Sequence, residues 1–327
     1  MSLVNGSSIR RNSSCSTHGF SCAIRDSATI DVGEGCYIDF TTGDGYFGID
    51  SQSVVDAVTV RTGGIYNVSY NSSGWAHGVF VSDSGVLGVS KLRTPSSSTE
   101  ARPRTDLLRG FGAARLDGDL TIQSLDVGTT ANKDWDRHVK MANVPFAGSG
   151  DVTITNGVPA YPFTVTMVNG ANTATGSIKV AKVEGDAETA LFFADGANWA
   201  GTVVAGNVSL TNLTDGATAA TVTFGALDLA GNFPIRVWTD NGGSIVTNDM
   251  VNVGEYRSHG GRLAPISAAD GEAFAADDRI VVGKIAKGSP LPTAARGWSA
   301  KALDILDDDA NYLLILKPSS GMQVILR

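Results

Sequence analysis

The stretch Val58–Tyr70, with the sequence V-T-V-R-T-G-G-I-Y-N-V-S-Y, is the part of the chain that decides the fold class. Apolar side chains alternate with polar ones on both sides of Thr62-Gly63-Gly64. A period of two places successive side chains on opposite faces of a β-strand. Paired glycines between two such runs are typical of a tight turn. The stretch therefore predicts a strand, a turn and a second strand.

The same pattern of short apolar runs between Gly, Asn and Asp continues from Ala28 almost to Arg327. The chain has 327 residues, of which 39 are Gly, 42% are hydrophobic and only 18% are charged. This composition is typical of short strands joined by tight turns. We therefore predict an all-β protein with minor helices. The helices are expected at Ala131–Met141, Ser267–Ala276 and Trp298–Leu306.

The composition changes along the chain and predicts several domains, arranged as tandem β-sandwich or jelly-roll domains with an immunoglobulin-like middle domain. Residues Ala147-Gly148-Ser149-Gly150 have the small, flexible character of a domain boundary. The charge-poor run of strands that follows has the size of an immunoglobulin-like sandwich. The predicted segments are a polar N-terminal arm at 1–27, a jelly-roll-like β domain at 28–147, an immunoglobulin-like β-sandwich at 148–231 and a C-terminal β-rich domain at 232–327.

The segment Val58–Tyr70, with its strand I-Y-N-V-S-Y, resembles the jelly-roll heads of the tumour-necrosis-factor and complement C1q type. Such jelly rolls usually form trimers. The resemblance implies that the chain assembles as a homo-oligomer, with a homotrimer preferred.

The net charge of −8 argues against direct binding to nucleic acid, which requires an excess of Lys and Arg. No apolar run reaches the length of a membrane span or of a signal peptide, so we expect neither membrane insertion nor export. Four arginines are candidates for contacts with a neighbouring subunit, although a solvated loop is the interpretation that we favour for the second pair. They are Arg10 and Arg11 in the arm and Arg102 and Arg104 in a Pro- and Ser-rich stretch.

The cysteines allow one metal-site hypothesis. Cys15, His18, Cys22 and Cys36 provide three thiols and an imidazole, which are the ligand types of a structural zinc site. Their spacing does not follow the common pairs of close doublets. One disulfide is a further alternative, and free thiols are the interpretation that we favour. We expect no cofactor.

No catalytic motif is present, and we predict that the chain is not an enzyme. The segment His259-Gly260-Gly261-Arg262 is the nearest approach to a phosphate-binding loop, but no helix signal follows it. Tryptophans can stack on sugar rings, but packing in cores or interfaces is the role that we favour for most of them, and Trp75 and Trp199 are interface candidates. If the chain binds a glycan, Trp75 or Trp199 is expected to line the surface site.

In composition and architecture the chain resembles structural proteins of tailed bacteriophages, such as capsid decoration proteins, head fibres and tail components. The resemblance implies a non-enzymatic protein located in the virion, with itself and other capsid or tail proteins as partners. One alternative is a receptor-binding tail fibre or spike that recognises host glycans. Another is a polysaccharide-degrading enzyme, which requires two carboxylates held at a fixed separation.

Overall fold

A computed structural model describes most of the chain. The described residues are 2–3, 8–9, 28–39, 55–68, 78–89, 105–108, 111–125, 138–141, 144–182, 185, 188–213, 218–268 and 279–319. Within these ranges the protein consists of strands and turns without any helix, which confirms the all-β prediction. None of the described segments is a helix of the length and apolarity that a membrane crossing requires. The chain divides into two compact units, Met1–Ala190 and Leu191–Arg327.

Unit 1 is a stack of coils built on three sheets, in which every described strand pairing is parallel. The first sheet contains β1 (Ser2–Leu3), β3 (Ala28–Val32), β5 (Val55–Arg61), β7 (Val79–Asp83), β10 (Ala113–Leu116) and β13 (Phe146–Gly148). The second contains β2 (Ser8–Ile9), β4 (Tyr37–Asp39), β6 (Ile65–Val68), β8 (Gly85–Val89), β11 (Leu120–Ser124), β14 (Val152–Asn156) and β16 (Ser177–Val180). The third contains β9 (Thr105–Asp106), β12 (His138–Met141) and β15 (Phe163–Met167).

From β7 onward each coil of unit 1 crosses the three sheets in turn, whereas β1–β6 belong to the first two sheets. Each described strand pairs with its equivalent in the neighbouring coil. Ile122 in β11 is aligned with Leu87 in β8 and with Ile154 in β14. All three side chains are fully buried. Equivalent positions of successive coils therefore stack into continuous apolar columns, which is the packing of a parallel β-solenoid.

Successive coils of unit 1 are held together at the corner before the second sheet by hydrogen bonds from backbone N–H groups to carboxylates, and by close approach of the backbones. The backbone N–H of Asp151 donates to Asp119 Oδ1 at 3.0 Å, and the N–H of Ser177 donates to Asp151 Oδ1 at 2.7 Å. A Cβ added to Gly150 would lie 2.0 Å from the carbonyl oxygen of Gly118. The corner therefore combines carboxylates that accept from the next coil with glycines that let the backbones approach closely.

Unit 2 begins within β17 and is also built from stacked coils. Its strands are β17 (Thr189–Ala194), β18 (Asn198–Val204), β19 (Val208–Thr211), β20 (Thr221–Leu229), β21 (Phe233–Thr239), β22 (Ile245–Asn248), β23 (Met250–Ser258), β24 (Leu263–Ser267), β25 (Ile280–Ala286), β26 (Trp298–Asp304) and β27 (Asn311–Pro318). Strands β18, β20, β23 and β25 pair in parallel in this order. A second side is formed by the parallel pairs β17 with β19 and β21 with β24.

The solenoid of unit 2 ends in antiparallel strands. Strand β27 pairs antiparallel with β25, and β26 pairs antiparallel with β27. The hairpin of β26 and β27 thus pairs with the last parallel strand, β25, through a strand of opposite direction. Terminal repeats of solenoids characteristically differ from the internal ones in this way.

A buried ion pair links three strands of unit 2. Asp249 is fully buried, and its carboxylate accepts from Arg236 Nε at 2.8 Å and Arg236 Nη2 at 3.0 Å. The same carboxylate accepts the backbone N–H of Ala220 at 2.9 Å. The guanidinium of Arg236 also lies 5.0 Å from the ring centroid of Trp238. A buried charge with this many donors is well compensated.

The parallel pairing corrects the predicted jelly-roll, sandwich and immunoglobulin-like architectures, because those folds are built from antiparallel sheets. The predicted strands and turn around Gly63 are present as β5, a turn and β6. However, β5 pairs with β3 and β7, whereas β6 pairs with β4 and β8. The turn is therefore a corner between two sheets instead of the end of a hairpin.

The predicted helices are not found where the structure describes the chain. Trp298–Leu306 was expected to be a helix, but residues Trp298–Asp304 form β26, which β27 pairs along its whole length. Residues 138–141 of the predicted helix Ala131–Met141 are a strand, and its first part lies outside the described residues. The predicted helix Ser267–Ala276 also lies largely outside them. Tertiary pairing has overridden the local helical pattern at Trp298.

The predicted segments 1–27, 28–147, 148–231 and 232–327 do not coincide with the two units. Residues on the two sides of the predicted boundary at 147 belong to one stack, because β11 pairs with β14. Likewise β20 and β23, on the two sides of residue 231, pair over their lengths. Within the predicted arm, β1 and β2 pair in parallel with β3 and β4, and the rest lies outside the described residues.

Candidate functional site

A cluster of charged side chains lies on the outer face of β18, β20 and β23 in unit 2. The register aligns Asp228 with Arg257, and Ala226 with both Thr202 and Glu255. Alternation along the strands directs the neighbours Leu227 and Tyr256 into the core, where they are buried. The side chains of adjacent coils therefore meet on one surface, about 4.8 Å apart from strand to strand.

The first part of the cluster is a pair formed by Asp228 and His259. The Nδ1 atom of His259 lies 2.6 Å from Oδ1 of Asp228. The imidazole is 65% exposed, whereas the Asp228 side chain is only 18% exposed. The backbone N–H of His259 donates to the carbonyl of Leu229 at 3.1 Å, which fixes the start of the corner. The carboxylate thus orients the ring and leaves Nε2 as the nitrogen available to a ligand.

The second part is the ion pair between Arg257 and Glu255. Arg257 donates to Glu255 Oε2 through Nη2 at 2.7 Å and through Nε at 3.1 Å. This hydrogen bonding lowers the pKa of Glu255, and it raises the pKa of Arg257, to which the charge of Asp228 contributes further. Arg257 Nη1 also donates to Thr202 Oγ1 at 3.4 Å. The guanidinium therefore joins three strands of the outer face.

Tyr256 separates Glu255 from Arg257 in sequence but does not belong to the surface. It points into the core, where burial raises the pKa of its phenol. The phenol is therefore neutral. The charge of the cluster comes from Asp228, Glu255 and Arg257 alone when the imidazole of His259 is neutral, and this leaves one net negative charge.

A strip of backbone without side chains borders the cluster. Gly225 and Gly254 stack in adjacent strands and are both exposed. A Cβ on Gly225 would lie 1.8 Å from the carbonyl oxygen of Ala200, so the close approach of β18 and β20 requires glycine there. Thr223 and Asn252, which are aligned with each other, lie on the far side of the strip. Polar side chains therefore line both sides of a surface that crosses the strands.

The residues of the zinc hypothesis are described only in part. Cys36 is a buried free thiol whose Sγ contacts the carbonyl oxygen of Glu34 at 3.6 Å. Cys15, His18 and Cys22 lie outside the described residues. In the part of the chain that the structure describes, no group of three or more His, Cys, Asp and Glu side chains is arranged to hold a metal ion.

The predicted interface residues are mostly outside the described part of the chain. This holds for Arg10, Arg11, Arg102, Arg104 and Trp75. Trp199 is described and is fully buried, so it is a core residue of unit 2 and does not line a surface site. It is aligned with Phe224 in the neighbouring coil, where side chains of similar bulk stack.

Sequence reasoning did not find the outer cluster. His259 was considered only as part of a glycine-rich candidate for a phosphate-binding loop. Its partner Asp228 lies 31 residues away in the sequence. Recognition of the coil repeat was needed to predict the cluster, because the repeat brings residues about one coil apart into contact. The glycines Gly231 and Gly261 mark this repeat, because a Cβ on Gly261 would lie 2.1 Å from the carbonyl oxygen of Gly231.

Comparison with known proteins provides no relative: no protein-family model, no curated protein and no solved structure matches the chain.

The chemistry of the cluster follows from its own atoms. It offers carboxylate oxygens, a guanidinium, an imidazole nitrogen and a hydroxyl on one exposed face, so that acceptors and donors alternate within a short distance. Such a surface is suited to a ligand with several hydroxyl groups.

Proposed function

We propose that the chain is a non-enzymatic structural protein of a bacteriophage particle, whose stacked coils hold a surface in a fixed position. The observation that carries this proposal is the main-chain stacking within each unit. Corner glycines approach the next coil closely, and carboxylates such as Asp151 accept from it. Stacking of this kind favours rigidity over the movements that many enzymes require.

The composition supports the same proposal. A charge-poor, Gly-rich chain buries backbone and small side chains efficiently in a repetitive core. A protein that works through contacts with neighbouring particle proteins needs surface and stability in place of an active site. Its proposed partners are further copies of itself and other capsid or tail proteins, and its proposed location is the virion.

Mass spectrometry of purified particles tests this function. We expect the chain in gradient-purified virions of the phage that encodes it, at a constant number of copies per particle. Immunogold labelling then distinguishes decoration of the capsid from a place in the tail. Absence of the chain from purified particles contradicts the proposal.

The oligomeric state stays a prediction. A homotrimer was expected from the jelly-roll resemblance, and the parallel pairing removes that support. The native mass of the purified chain, measured by light scattering, decides between a monomer and a trimer.

A second candidate function is recognition of a host glycan by a receptor-binding fibre or spike. The specific observation that favours it is the exposed face of Thr202, Asp228, Glu255, Arg257 and His259. If this function is correct, the purified chain should compete with the phage for adsorption to host cells. Unchanged adsorption at saturating protein contradicts it.

A further inference from the structure

We infer that the outer face of β18, β20 and β23 is a binding site for a neutral, hydroxyl-rich glycan chain, formed by Glu255, Arg257, Asp228 and His259. The inference deepens the proposed glycan recognition and rests on it for its biological meaning. The site itself is a property of unit 2, so it is testable on the purified protein.

The charges of the site argue against an acidic ligand. Both Nε and Nη2 of Arg257 donate to Glu255, and the imidazole of His259 is held by Asp228. A carboxylate or phosphate on the ligand would have to approach these two acidic side chains and would be repelled.

The lysines of the next strand do not change this balance. Lys284 in β25 donates to Asp308 at 2.9 Å, and Lys287, which directly follows β25, lies 3.9 Å from Asp304. Lys287 also lies 5.2 Å from the ring centroid of Tyr312. Both lysines are therefore already paired with nearby side chains and do not attract an acidic ligand to the site. A neutral ligand is the class that the charges favour.

Hydroxyl groups match the atoms that remain. Each sugar hydroxyl both donates and accepts, and the site offers both kinds of partner. Glu255 uses Oε2 for Arg257, so its Oε1 is directed elsewhere, and Nε2 of His259 faces away from Asp228. Hydrogen bonds from hydroxyls to ionised groups are stronger than those between neutral groups. The exposed fractions of 48% for Glu255 and 65% for His259 make both side chains accessible.

The form of the surface favours a chain over a single sugar. The exposed glycines Gly225 and Gly254 leave a strip across adjacent strands with no side chain above it. Thr223 and Asn252 on one side and Glu255 on the other place polar groups along both edges. A linear chain lying along the strip crosses both strands between these polar edges.

The test uses the full-length chain on an array of neutral and acidic oligosaccharides, followed by titration calorimetry with the neutral oligosaccharide of strongest signal. Glu255→Ala should weaken binding about tenfold or more, as loss of one charge-assisted hydrogen bond implies. His259→Ala should weaken binding about fivefold, as loss of one hydrogen bond to a neutral imidazole implies. Glu255→Gln keeps the shape of the side chain and should weaken binding less. Binding of the neutral ligand should change little between low and high salt.

The matched control is Asp117→Ala in unit 1. Asp117 is similarly exposed at 45% and also pairs with an arginine, Arg115, at 2.7 Å. This variant should bind as the wild type does, and far-ultraviolet circular dichroism should show that all variants are folded. Equal binding by wild type and both alanine variants overturns the site. A wild type that binds no neutral oligosaccharide, or prefers acidic ones with strong salt dependence, overturns it also.

The outcomes separate this inference from the proposed function. A chain that is present in virions but binds no sugar loses the site and keeps its structural role. A chain that binds neutral glycans through Glu255 and His259 but is absent from virions keeps the site and loses the virion assignment. Release of reducing ends during incubation with the bound glycan overturns the non-enzymatic part of the proposal.

Discussion

Asp151 in unit 1 and Asp249 in unit 2 have the same task in different surroundings. Each accepts a backbone N–H from another coil, from Ser177 at 2.7 Å and from Ala220 at 2.9 Å. Asp151 is half-buried and forms no ion pair with another residue that the structure describes, whereas Asp249 is fully buried and is bound by the guanidinium of Arg236. The difference shows that burying the same carboxylate requires a counter-charge, because a desolvated ion is unstable alone.

The largest effect is expected from Asp249→Ala. The substitution leaves the guanidinium of Arg236, whose side chain is only 20% exposed, without its carboxylate. We expect the free energy of unfolding to fall by about 3–5 kcal/mol, measured by urea denaturation.

Replacement of both members of the pair is the control for Asp249. Asp249→Ala combined with Arg236→Met should recover a large part of the loss, because no buried charge remains. Loss of an exposed ion pair lowers the free energy of unfolding by less than about 1 kcal/mol. A loss that small in Asp249→Ala would contradict the claim that the buried aspartate depends on its counter-charge more than Asp151 does.

A second experiment asks whether backbone approach, and not only the carboxylate, holds the coils of unit 1. In Gly150→Ala the new Cβ would lie 2.0 Å from the carbonyl oxygen of Gly118, so the coils must separate. We expect a loss of about 1–3 kcal/mol in the free energy of unfolding. Gly112→Ala is the control, because its Cβ would find only Gly78 O at 3.9 Å. Equal stability of the two variants would show that the corner tolerates an added methyl group.

A smaller effect is expected from Asp151→Ala. The substitution removes the acceptor of the Ser177 N–H, but solvent can reach a half-buried corner and replace it in part. The expected loss is about 1 kcal/mol, measured as a shift of the urea midpoint. Asp56→Ala, on the exposed side of β5, serves as the reference and should change stability by less than about 0.5 kcal/mol. A loss as large as that of Asp249→Ala would remove the contrast between the units.

The smallest effect concerns a third carboxylate, Glu255, which is exposed and paired. Arg257 lowers its pKa by hydrogen bonding, so Arg257→Ala should raise the pKa of Glu255 to its ordinary range. Because the folded-state pKa is the lower one, the pair favours the folded state above the unfolded pKa, and this contribution is lost as the pH falls through the folded pKa. Carbon-13 NMR titration of the Glu255 carboxyl measures the change. Arg115→Ala should leave that titration unchanged, and an unaltered pKa in Arg257→Ala would contradict the pairing.

The sequence predicted strands and corners well but not how the strands pair. Alternation around Gly63 identifies β5, the turn and β6, since a strand with one buried face has a period of two in any sheet. The same alternation arises in parallel and antiparallel sheets, so a hairpin and a coil corner look alike. The recurrence that distinguishes them lies between coils. The runs L-D-G-D-L-T-I-Q-S at Leu116–Ser124 and G-S-G-D-V-T-I-T-N at Gly148–Asn156 place Gly and Asp at equivalent corners.

The candidate site was harder to predict than the fold. Asp228 and His259 are neighbours only because β20 and β23 stack in register, and nothing adjacent to either residue indicates the other. Core or interface packing was the favoured role for most tryptophans, and only the glycan hypothesis placed Trp199 at a surface site. Trp199 is buried, because the interior of a coil needs bulky apolar side chains. A register shift between β18 and β20, at Trp199–Thr202, also interrupts the simple alternation of faces next to the site.

The antiparallel hairpin of β26 and β27 has a consequence for how such a chain evolves. Parallel coils repeat, so duplication or deletion of one whole coil leaves the pairing rules of its neighbours intact. The hairpin breaks that equivalence, because β27 fits β25 only in the reverse direction. We therefore expect that coils before β25 can be duplicated or deleted without loss of this pairing, whereas β25, β26 and β27 must stay together.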